Sequence, residues 1–122
     1  MLKIDDLKVY NLSMELADRV RIQVLSWEYF HKDTIGKQLV RAVDSIAANI
    51  SEGYGRFHYK ENKQFCYFAR GSLYETKTWL HKAYNAKLLS VDDFNEYNNK
   101  IDDLSLKLNA YIKSIGSKPN DN

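Results

Sequence analysis

Two short segments decide the fold: SIAANISEGYGR at residues 45–56, and ARGSLYE at residues 69–75. The first has the pattern of a helix that stops at Gly53 and Gly55, because glycine alone enters the left-handed conformation without a Cβ penalty. The second has the pattern of a helix interior, where Gly71 costs about 1 kcal/mol relative to alanine. We expect close contact with a neighbouring helix to compensate for that cost.

A row of small or short polar side chains runs beside the apolar stripe of the helix that contains the first segment. Its members recur at steps of three and four: Ala42, Ser45, Asn49 and Gly53. Small side chains let another backbone come close, and Gly71 with Ser72 offers a matching approach on the next helix. The sequence therefore predicts that Ser45, Asn49 and Ser72 are mostly buried and hydrogen-bonded where the two helices meet.

Outward from these segments, hydrophobic periodicity predicts an all-α protein with four helices. The predicted helices span residues 7–31, 35–54, 58–87 and 91–115. Thr34 is the predicted N-cap of the second helix and Ser90 that of the fourth, while Gly116 suits the position after the fourth. Short breaks favour antiparallel neighbours, so we predict an up-and-down four-helix bundle. It forms one domain, residues 1–122, with a short flexible tail at residues 117–122.

Each predicted helix has an apolar stripe for the core. The first helix presents Tyr10, Met14, Ala17, Val20, Val24 and Trp27, and the second presents Leu39, Val43, Ile46 and Ile50. The third presents two adjacent stripes: Phe65, Phe68, Ser72, Thr76, Trp79 and Ala83, then Cys66, Ala69, Leu73, Leu80 and Tyr84. The fourth repeats apolar residues over heptads, which serve either this bundle or a coiled-coil partner. Four more apolar residues widen the first helix's surface, so we expect it to have neighbours on more than one side: Leu16, Ile22, Leu25 and Phe30.

Composition and charge limit the classes of function. The chain has 122 residues and a formal net charge of +2, but residues 32–87 hold ten basic and five acidic residues. A basic middle indicates an anionic partner, and a solvated helical surface is the alternative. The single cysteine forms no internal disulfide, and neither a signal-peptide pattern nor a membrane-spanning stretch is expected. These features fit a cytoplasmic protein.

A strip on the outer face of the third helix is the best candidate for function. It alternates basic and aromatic residues at helical spacing: Lys63, Tyr67, Arg70, Tyr74, Lys77 and His81. Cations meet phosphates and tyrosines stack on exposed bases, but tyrosine and arginine are also favoured at protein interfaces. The predicted nucleic-acid-binding residues are Lys37, Arg41, Arg56, Lys60, Lys63, Tyr67, Arg70, Tyr74 and Lys77. The alternative is that the same strip contacts another subunit or a protein partner.

The sequence gives little support for catalysis, so we expect no enzyme, no cofactor and no metal site. The three histidines are far apart and lack the helical spacing of a ligand pair. Cys66 lies among apolar residues, where a free cysteine acts as a small hydrophobic side chain. Glu52 and Glu75 could form a carboxylate pair, but pairing with nearby arginines is the stronger interpretation.

The two opening segments together resemble the signature of the bacterial four-helix bundle proteins called 23S rRNA intervening sequence proteins. The resemblance rests on residues 39–56, Phe65 and residues 68–75, and it covers nearly the whole chain. It implies a homopentamer with a basic surface that binds RNA or DNA, and no enzymatic activity. The motif residues carry over as structural positions: Ser45, Asn49, Glu52, Gly53, Gly71, Ser72 and Glu75.

The accessory variability determinant of diversity-generating retroelements looks like a relative on the same fold. That likeness implies a protein partner such as a reverse transcriptase. The leading hypothesis is a non-enzymatic, homo-oligomeric protein that binds nucleic acid through helices two and three. The alternative hypothesis is an assembly module whose helix-three strip is an interface.

Overall fold

The computed structural model describes residues 3–116, and in that part of the chain it has four long helices and no strand. The helices are α1 (Lys8–Leu25), α2 (Lys37–Tyr54), α3 (Tyr59–Asn85) and α4 (Val91–Ser114). A 3₁₀ turn, Ile4–Asp6, precedes α1. The predicted all-α bundle is therefore confirmed. The predicted flexible tail lies outside the described residues.

The helices alternate in direction, and each packs against its neighbours around one core. α1 contacts α2 and α4, α2 contacts α3, and α3 contacts α4. α2 and α4 therefore lie diagonally across the bundle. As a result, the seam between α1 and α2 and the seam between α3 and α4 face opposite sides of the molecule.

The core stripes of α2 and α4 are where the sequence places them. In α2 the fully buried side chains are Leu39, Val43, Ile46 and Ile50. In α4, Ile101 and Leu108 are at most 1% exposed. These side chains belong to the same apolar cluster. The α4 heptads therefore pack into their own bundle rather than onto a coiled-coil partner.

The predicted stripes of α1 and α3 are each partly wrong. In α1 the buried side chains include Val9, Ser13 and Leu16, whereas Met14 is exposed, because the helix is rotated towards its α2 and α4 neighbours. In α3 the second predicted stripe provides most of the core, while Phe68 is exposed. The core-facing part of α3 is therefore narrower than its apolar residues suggest.

The connection between α1 and α2 also differs from the prediction. α1 ends at Leu25 because the Ser26 hydroxyl and amide both donate to the Gln23 carbonyl and Trp27 turns into the core. The chain then forms a short helix, Tyr29–His31, and a π-helical turn, Lys32–Gly36, that leads directly into α2. The predicted break between helices 7–31 and 35–54 is therefore wrong, because residues 29–36 are helical.

Thr34 is not an N-cap, contrary to prediction. Its Oγ1 donates to the Phe30 carbonyl oxygen at 2.7 Å, one turn earlier, inside the connection. The predicted cap of α4 is confirmed, because Ser90 Oγ accepts a hydrogen bond from the Asp93 amide at 3.0 Å. The Thr34 hydroxyl therefore donates to a backbone carbonyl, whereas the Ser90 hydroxyl accepts from a backbone amide.

Left-handed backbone occurs at two positions of the described chain. Gly116 has φ +69° just after α4, as predicted, and Lys87 has φ +62° in the turn between α3 and α4. Gly53 lies inside α2 and Gly55 has φ −77°, so the prediction that they end α2 through left-handed conformations is wrong. α2 instead ends in a right-handed turn whose Gly55 amide donates to the Ser51 carbonyl.

The small-residue row makes one close contact, but not the predicted one. A Cβ added at Gly53 would lie 2.7 Å from Asn62 Oδ1 and 2.9 Å from the Asn62 carbonyl oxygen, so α2 and α3 approach closely there. A Cβ added at Gly71 would meet nothing within 4 Å. The expectation that Gly71 compensates its cost by close contact within the bundle is wrong.

The prediction for the polar motif residues is only partly met. Ser45, Asn49 and Ser72 are half-buried, and the hydrogen bonds of Ser45 and Asn49 do not cross to a neighbouring helix. The Ser45 hydroxyl donates to the Arg41 carbonyl at 2.8 Å, and the Asn49 amide donates to the Ser45 carbonyl at 2.8 Å. These bonds stay within α2, because short polar side chains reach the preceding turn of their own helix more easily than a neighbouring helix.

Candidate nucleic-acid interface

The α3 strip faces outward along the seam with α4. Tyr67 is 43% exposed and Tyr74 is 59% exposed. Lys77 and His81 are exposed too, whereas Lys63 and Arg70 are half-buried. The strip is therefore a continuous solvent-facing surface, as the helical spacing predicts.

α4 lines one edge of the strip. Arg70 Nη1 donates to Asn109 Oδ1 at 3.2 Å, Lys77 Nζ lies 3.9 Å from Asp102 Oδ1, and the His81 ring lies 5.9 Å from the Phe94 ring. Asp102 offsets the charge of Lys77. The positive end of the strip is consequently the end that begins α3.

Arg70 and the two tyrosines form the centre of the strip. The Arg70 guanidinium lies over the Tyr67 ring, 5.0 Å from its centroid, while its other edge is held by Asn109. Cation–π contact and the Asn109 hydrogen bond both restrict the arginine side chain. Tyr74, one turn further along, leaves its ring open to solvent, so a flat ligand group can stack on it.

The start of α3 supplies two further cations. Lys60 is exposed and Lys63 half-buried, and within residues 3–116 neither has a carboxylate at ion-pair distance. Arg56, in the turn before α3, is already engaged by Glu52 at 2.7 Å and Glu61 at 3.8 Å. Arg56 also lies over the Phe65 ring. Lys60 and Lys63 are therefore better placed than Arg56 to meet phosphates.

The structure separates two of the predicted nucleic-acid-binding residues from the rest. Lys37 and Arg41 line a groove between α1 and α2, on the seam opposite the strip. Arg41 also lies 3.9 Å from Glu75 across the contact between α2 and α3. The nine predicted residues thus do not form one surface. Those of α3 lie together, whereas Arg56, in the turn before α3, contacts Glu52, Glu61 and Phe65 instead.

The glutamates of the two motif segments are structural, as the arginine-pairing interpretation predicts. Glu52 pairs with Arg56, one turn later, at 2.7 Å. Glu75 accepts a hydrogen bond from Trp79 Nε1 at 3.0 Å and pairs with Arg41. Each carboxylate has its own partners on a different part of the bundle, so the two do not form an acid–base pair.

The lone cysteine is a core side chain. Cys66 is fully buried, and its thiol donates to Asn62 Oδ1 at 3.7 Å. Burial raises the pKa of the Cys66 thiol to about 11, which keeps it protonated and unreactive at neutral pH. Among residues 3–116, no cluster of three or more His, Cys, Asp or Glu side chains could hold a metal ion. Nor is any helix in that range long and apolar enough to cross a membrane.

The sequence prediction missed the groove between α1 and α2. Its lining includes Leu25, Tyr29 and Lys32. The excess apolar residues near the end of the predicted first helix were a signal for an exposed apolar surface. What they could not reveal was the turn at Trp27 that brings them to the start of α2.

Two comparisons relate the chain to known proteins. The family model described as 23S rRNA-intervening sequence protein matches residues 5–110. A crystal structure of a protein of unknown function from the S23 ribosomal protein family of Bacteroides thetaiotaomicron superposes with a TM-score of 0.77 at 22% identity. The superposition covers 87% of this chain and 99% of that one, and it shows the shared fold. No curated protein matches the chain.

Proposed function

Because the chain belongs to the 23S rRNA-intervening sequence protein family, we propose that it is a non-enzymatic protein that binds nucleic acid through the α3 strip. The observation that carries the proposal is the alternation of exposed tyrosines and cations from Lys63 to Tyr74 on one helix face. The buried, protonated Cys66 is consistent with work in the cytoplasm.

The chemistry of the strip suits a single strand better than a duplex. Tyr67 and Tyr74 present their rings at 43% and 59% exposure, and a base can stack on a ring only when it is unpaired and splayed out. Lys60 and Lys63 lie one to two turns before Tyr67, within reach of the phosphates that follow a stacked base. Single-stranded RNA is therefore the proposed ligand class.

The test is fluorescence anisotropy with a labelled single-stranded RNA of about 20 nucleotides, repeated at several salt concentrations. Tyr74→Ala removes a stacking ring and should weaken binding by about 1–3 kcal/mol, whereas Tyr74→Phe keeps the ring and should bind nearly as well. Lys63→Glu should weaken binding and flatten the salt dependence, because fewer counterions are then released.

Lys100→Glu is the matched charge control, since Lys100 is exposed and lies on the α1 side of α4, outside the strip. The proposal fails if the protein binds no RNA at low salt, or if Lys100→Glu and Lys63→Glu weaken binding equally. A matched RNA duplex serves as the second probe. Equal affinity for the duplex would reject the single-strand assignment.

A second candidate function is self-assembly, and the open space at Gly71 favours it. A Cβ at this position would meet nothing within 4 Å, although the residue lies in the middle of the longest helix. Phe68 and Tyr67, one turn before it, are exposed. A glycine beside exposed rings lets another backbone approach closely, and tyrosine is favoured in subunit contacts.

On this reading the chain forms a homo-oligomer, the pentamer that the family resemblance implies. Sedimentation of the wild type and of Gly71→Glu tests it, since a charged side chain at the contact would separate the subunits. A lower mass for Gly71→Glu with unchanged RNA affinity supports assembly through this face. A monomeric wild type rejects assembly.

A further inference from the structure

We propose that the groove between the end of α1 and the start of α2 is a docking site for an acidic peptide segment of a partner protein, anchored by a large apolar side chain. The groove is a shallow, open depression of about 600 Å³ and is separate from the α3 strip. Its floor is apolar: Val24, Leu25, Tyr29 and Val40. Leu25 is 65% exposed and Tyr29 is 76% exposed. Adjacent exposed apolar side chains of this size mark interaction sites on soluble proteins.

The rim of the groove is basic. Its charged lining consists of Arg21, Lys32, Lys37 and Arg41 on the positive side, and Asp33 on the negative side. Arg21 pairs with Asp44 at 3.2 Å and Arg41 lies 3.9 Å from Glu75. Even when both of these carboxylates are counted, the rim keeps a net positive charge. Lys32 and Lys37 have no carboxylate at ion-pair distance within the described chain.

The floor of the groove rests on an unusual piece of backbone. The π-helical turn Lys32–Gly36 forms one wall, and π-helical turns are rare and frequent at functional sites. Gly36 lies directly against α1: a Cβ there would be 2.6 Å from Val24 Cγ1. Trp27 Nε1 and His31 Nδ1 are buried beside this turn without a hydrogen-bond partner among the described residues. The connection that brings α1 and α2 together around the groove is therefore locally unfavourable, because it leaves these two buried nitrogens unpaired.

The lining selects a peptide over a nucleic acid. Three of the four floor side chains are aliphatic, and bases stack on aromatic rings rather than on branched aliphatic groups. An aliphatic or aromatic anchor in an apolar depression, surrounded by complementary charges, is the usual arrangement of a protein interface. Acidic residues flanking such an anchor would meet Lys32 and Lys37.

The experiment measures binding of a labelled synthetic peptide by fluorescence anisotropy. The probe is an amphipathic peptide of about 16 residues, with leucine and tryptophan at helical spacing among glutamates. A second peptide replaces every glutamate by lysine. We expect the acidic peptide to bind and the basic peptide not to bind, with affinity that falls as salt rises.

Two pairs of variants locate the site. Leu25→Ala and Lys37→Glu should each weaken peptide binding by about tenfold, or 1.4 kcal/mol. Leu106→Ala is the matched apolar control, because Leu106 is 72% exposed on α4, and Lys113→Glu is the matched charge control. Both controls should leave peptide binding within about twofold of the wild type. Leu25 is largely exposed, so its replacement should leave the unfolding midpoint unchanged.

Several outcomes would overturn the proposal. They are failure of the acidic peptide to bind at low salt, equal binding of the basic peptide, and equal losses in the control variants. If Leu25→Ala instead lowers the mass of the particle in sedimentation while the peptide does not bind, the groove holds a second copy of the chain. If Lys37→Glu abolishes RNA binding while the peptide does not bind, the groove holds nucleic acid.

Discussion

Gly53 of α2 lies so close to Asn62 of α3 that a methyl group at position 53 would sit 2.7 Å from Asn62 Oδ1 and 2.9 Å from the Asn62 carbonyl oxygen. Gly53→Ala must therefore push the two helices apart, because the second contact is with backbone and cannot rotate away. We expect it to lower the free energy of unfolding by about 1–3 kcal/mol. Urea denaturation monitored by circular dichroism measures the change.

Gly71→Ala is the control for that experiment. Position 71 is also helical and glycine, but an added Cβ there meets nothing within 4 Å. The substitution should raise the free energy of unfolding by up to about 1 kcal/mol, since alanine is the better helix former. Equal destabilisation by the two alanines would contradict the close contact at Gly53.

Gly116 and Gly55 form a second pair with opposite expectations. Gly116 has φ +69°, and a Cβ there would lie 3.0 Å from the Tyr59 ring, whereas Gly55 has φ −77° and more distant neighbours. Gly116→Ala should cost about 1–2 kcal/mol of unfolding free energy, because a side chain disfavours the left-handed conformation. Gly55→Ala should be close to neutral. Thermal and urea unfolding of both variants gives the comparison, and a costly Gly55→Ala would contradict it.

The N-cap of α4 should have a measurable effect on stability. Ser90 Oγ accepts from the Asp93 amide at 3.0 Å, and Ser90→Ala leaves that amide without its partner. The expected loss is about 1 kcal/mol, and Ser90→Gly should lose only a few tenths. Urea midpoints of the three proteins test this. Identical midpoints for wild type and Ser90→Ala would show that water replaces the cap without cost.

The buried thiol predicts a pH dependence of stability. Burial raises the pKa of Cys66 from its ordinary 9.0 to about 11, so the unfolded chain releases this proton at lower pH than the folded chain does. The stabilisation that the Cys66 thiol provides is complete below pH 9 and is lost as pH rises towards 11. The free energy of unfolding therefore falls across that interval.

Cys66→Ala should remove this part of the alkaline slope. Burial also raises the pKa of Tyr97 and Tyr111, so a slope from those hydroxyls should remain. The measurement is the urea-derived free energy of unfolding of wild type and variant between neutral and alkaline pH. Cavity formation lowers the stability of the variant at every pH, so the difference between the two slopes is the informative quantity. Parallel slopes would show that the folded thiol titrates normally.

The sequence predicts the architecture well where one apolar period dominates. Leu39, Val43, Ile46 and Ile50 mark the core face of α2 without ambiguity, and all four are fully buried. Where a helix carries apolar residues on several faces, periodicity cannot choose among them. Met14 and Phe68 were placed in the core by their spacing, yet they lie outside it because packing against two neighbours fixes the rotation of each helix.

The connection before α2 could not be predicted from local pattern. Residues 7–31 read as one helix, since none of them is a proline or glycine, and Gly36 reads as a helix breaker. In the structure the helix ends before Trp27, whose side chain is buried in the core. Gly36 stays helical, and a larger residue there would clash with Val24. Both outcomes depend on tertiary contacts.

The candidate site was only partly predictable. Helical spacing places Tyr67, Arg70 and Tyr74 on one face, and the structure keeps them together. Spacing within one helix does not show which charges of the next helix lie beside it. The pairing of Lys77 with Asp102 could therefore not be predicted from spacing. For the same reason Lys37 was grouped with a surface on the far side of the bundle.

The diagonal arrangement of α2 and α4 makes the two seams independent. Groups that share no contacts perturb stability additively, so substitutions on the two surfaces can be combined in one chain and still be interpreted separately. The same geometry leaves both surfaces open together. A molecule bound on one side does not obstruct the other. If the α3 strip binds RNA and the groove binds a peptide, as we propose, one bundle would hold both at once and raise the local concentration of each for the other.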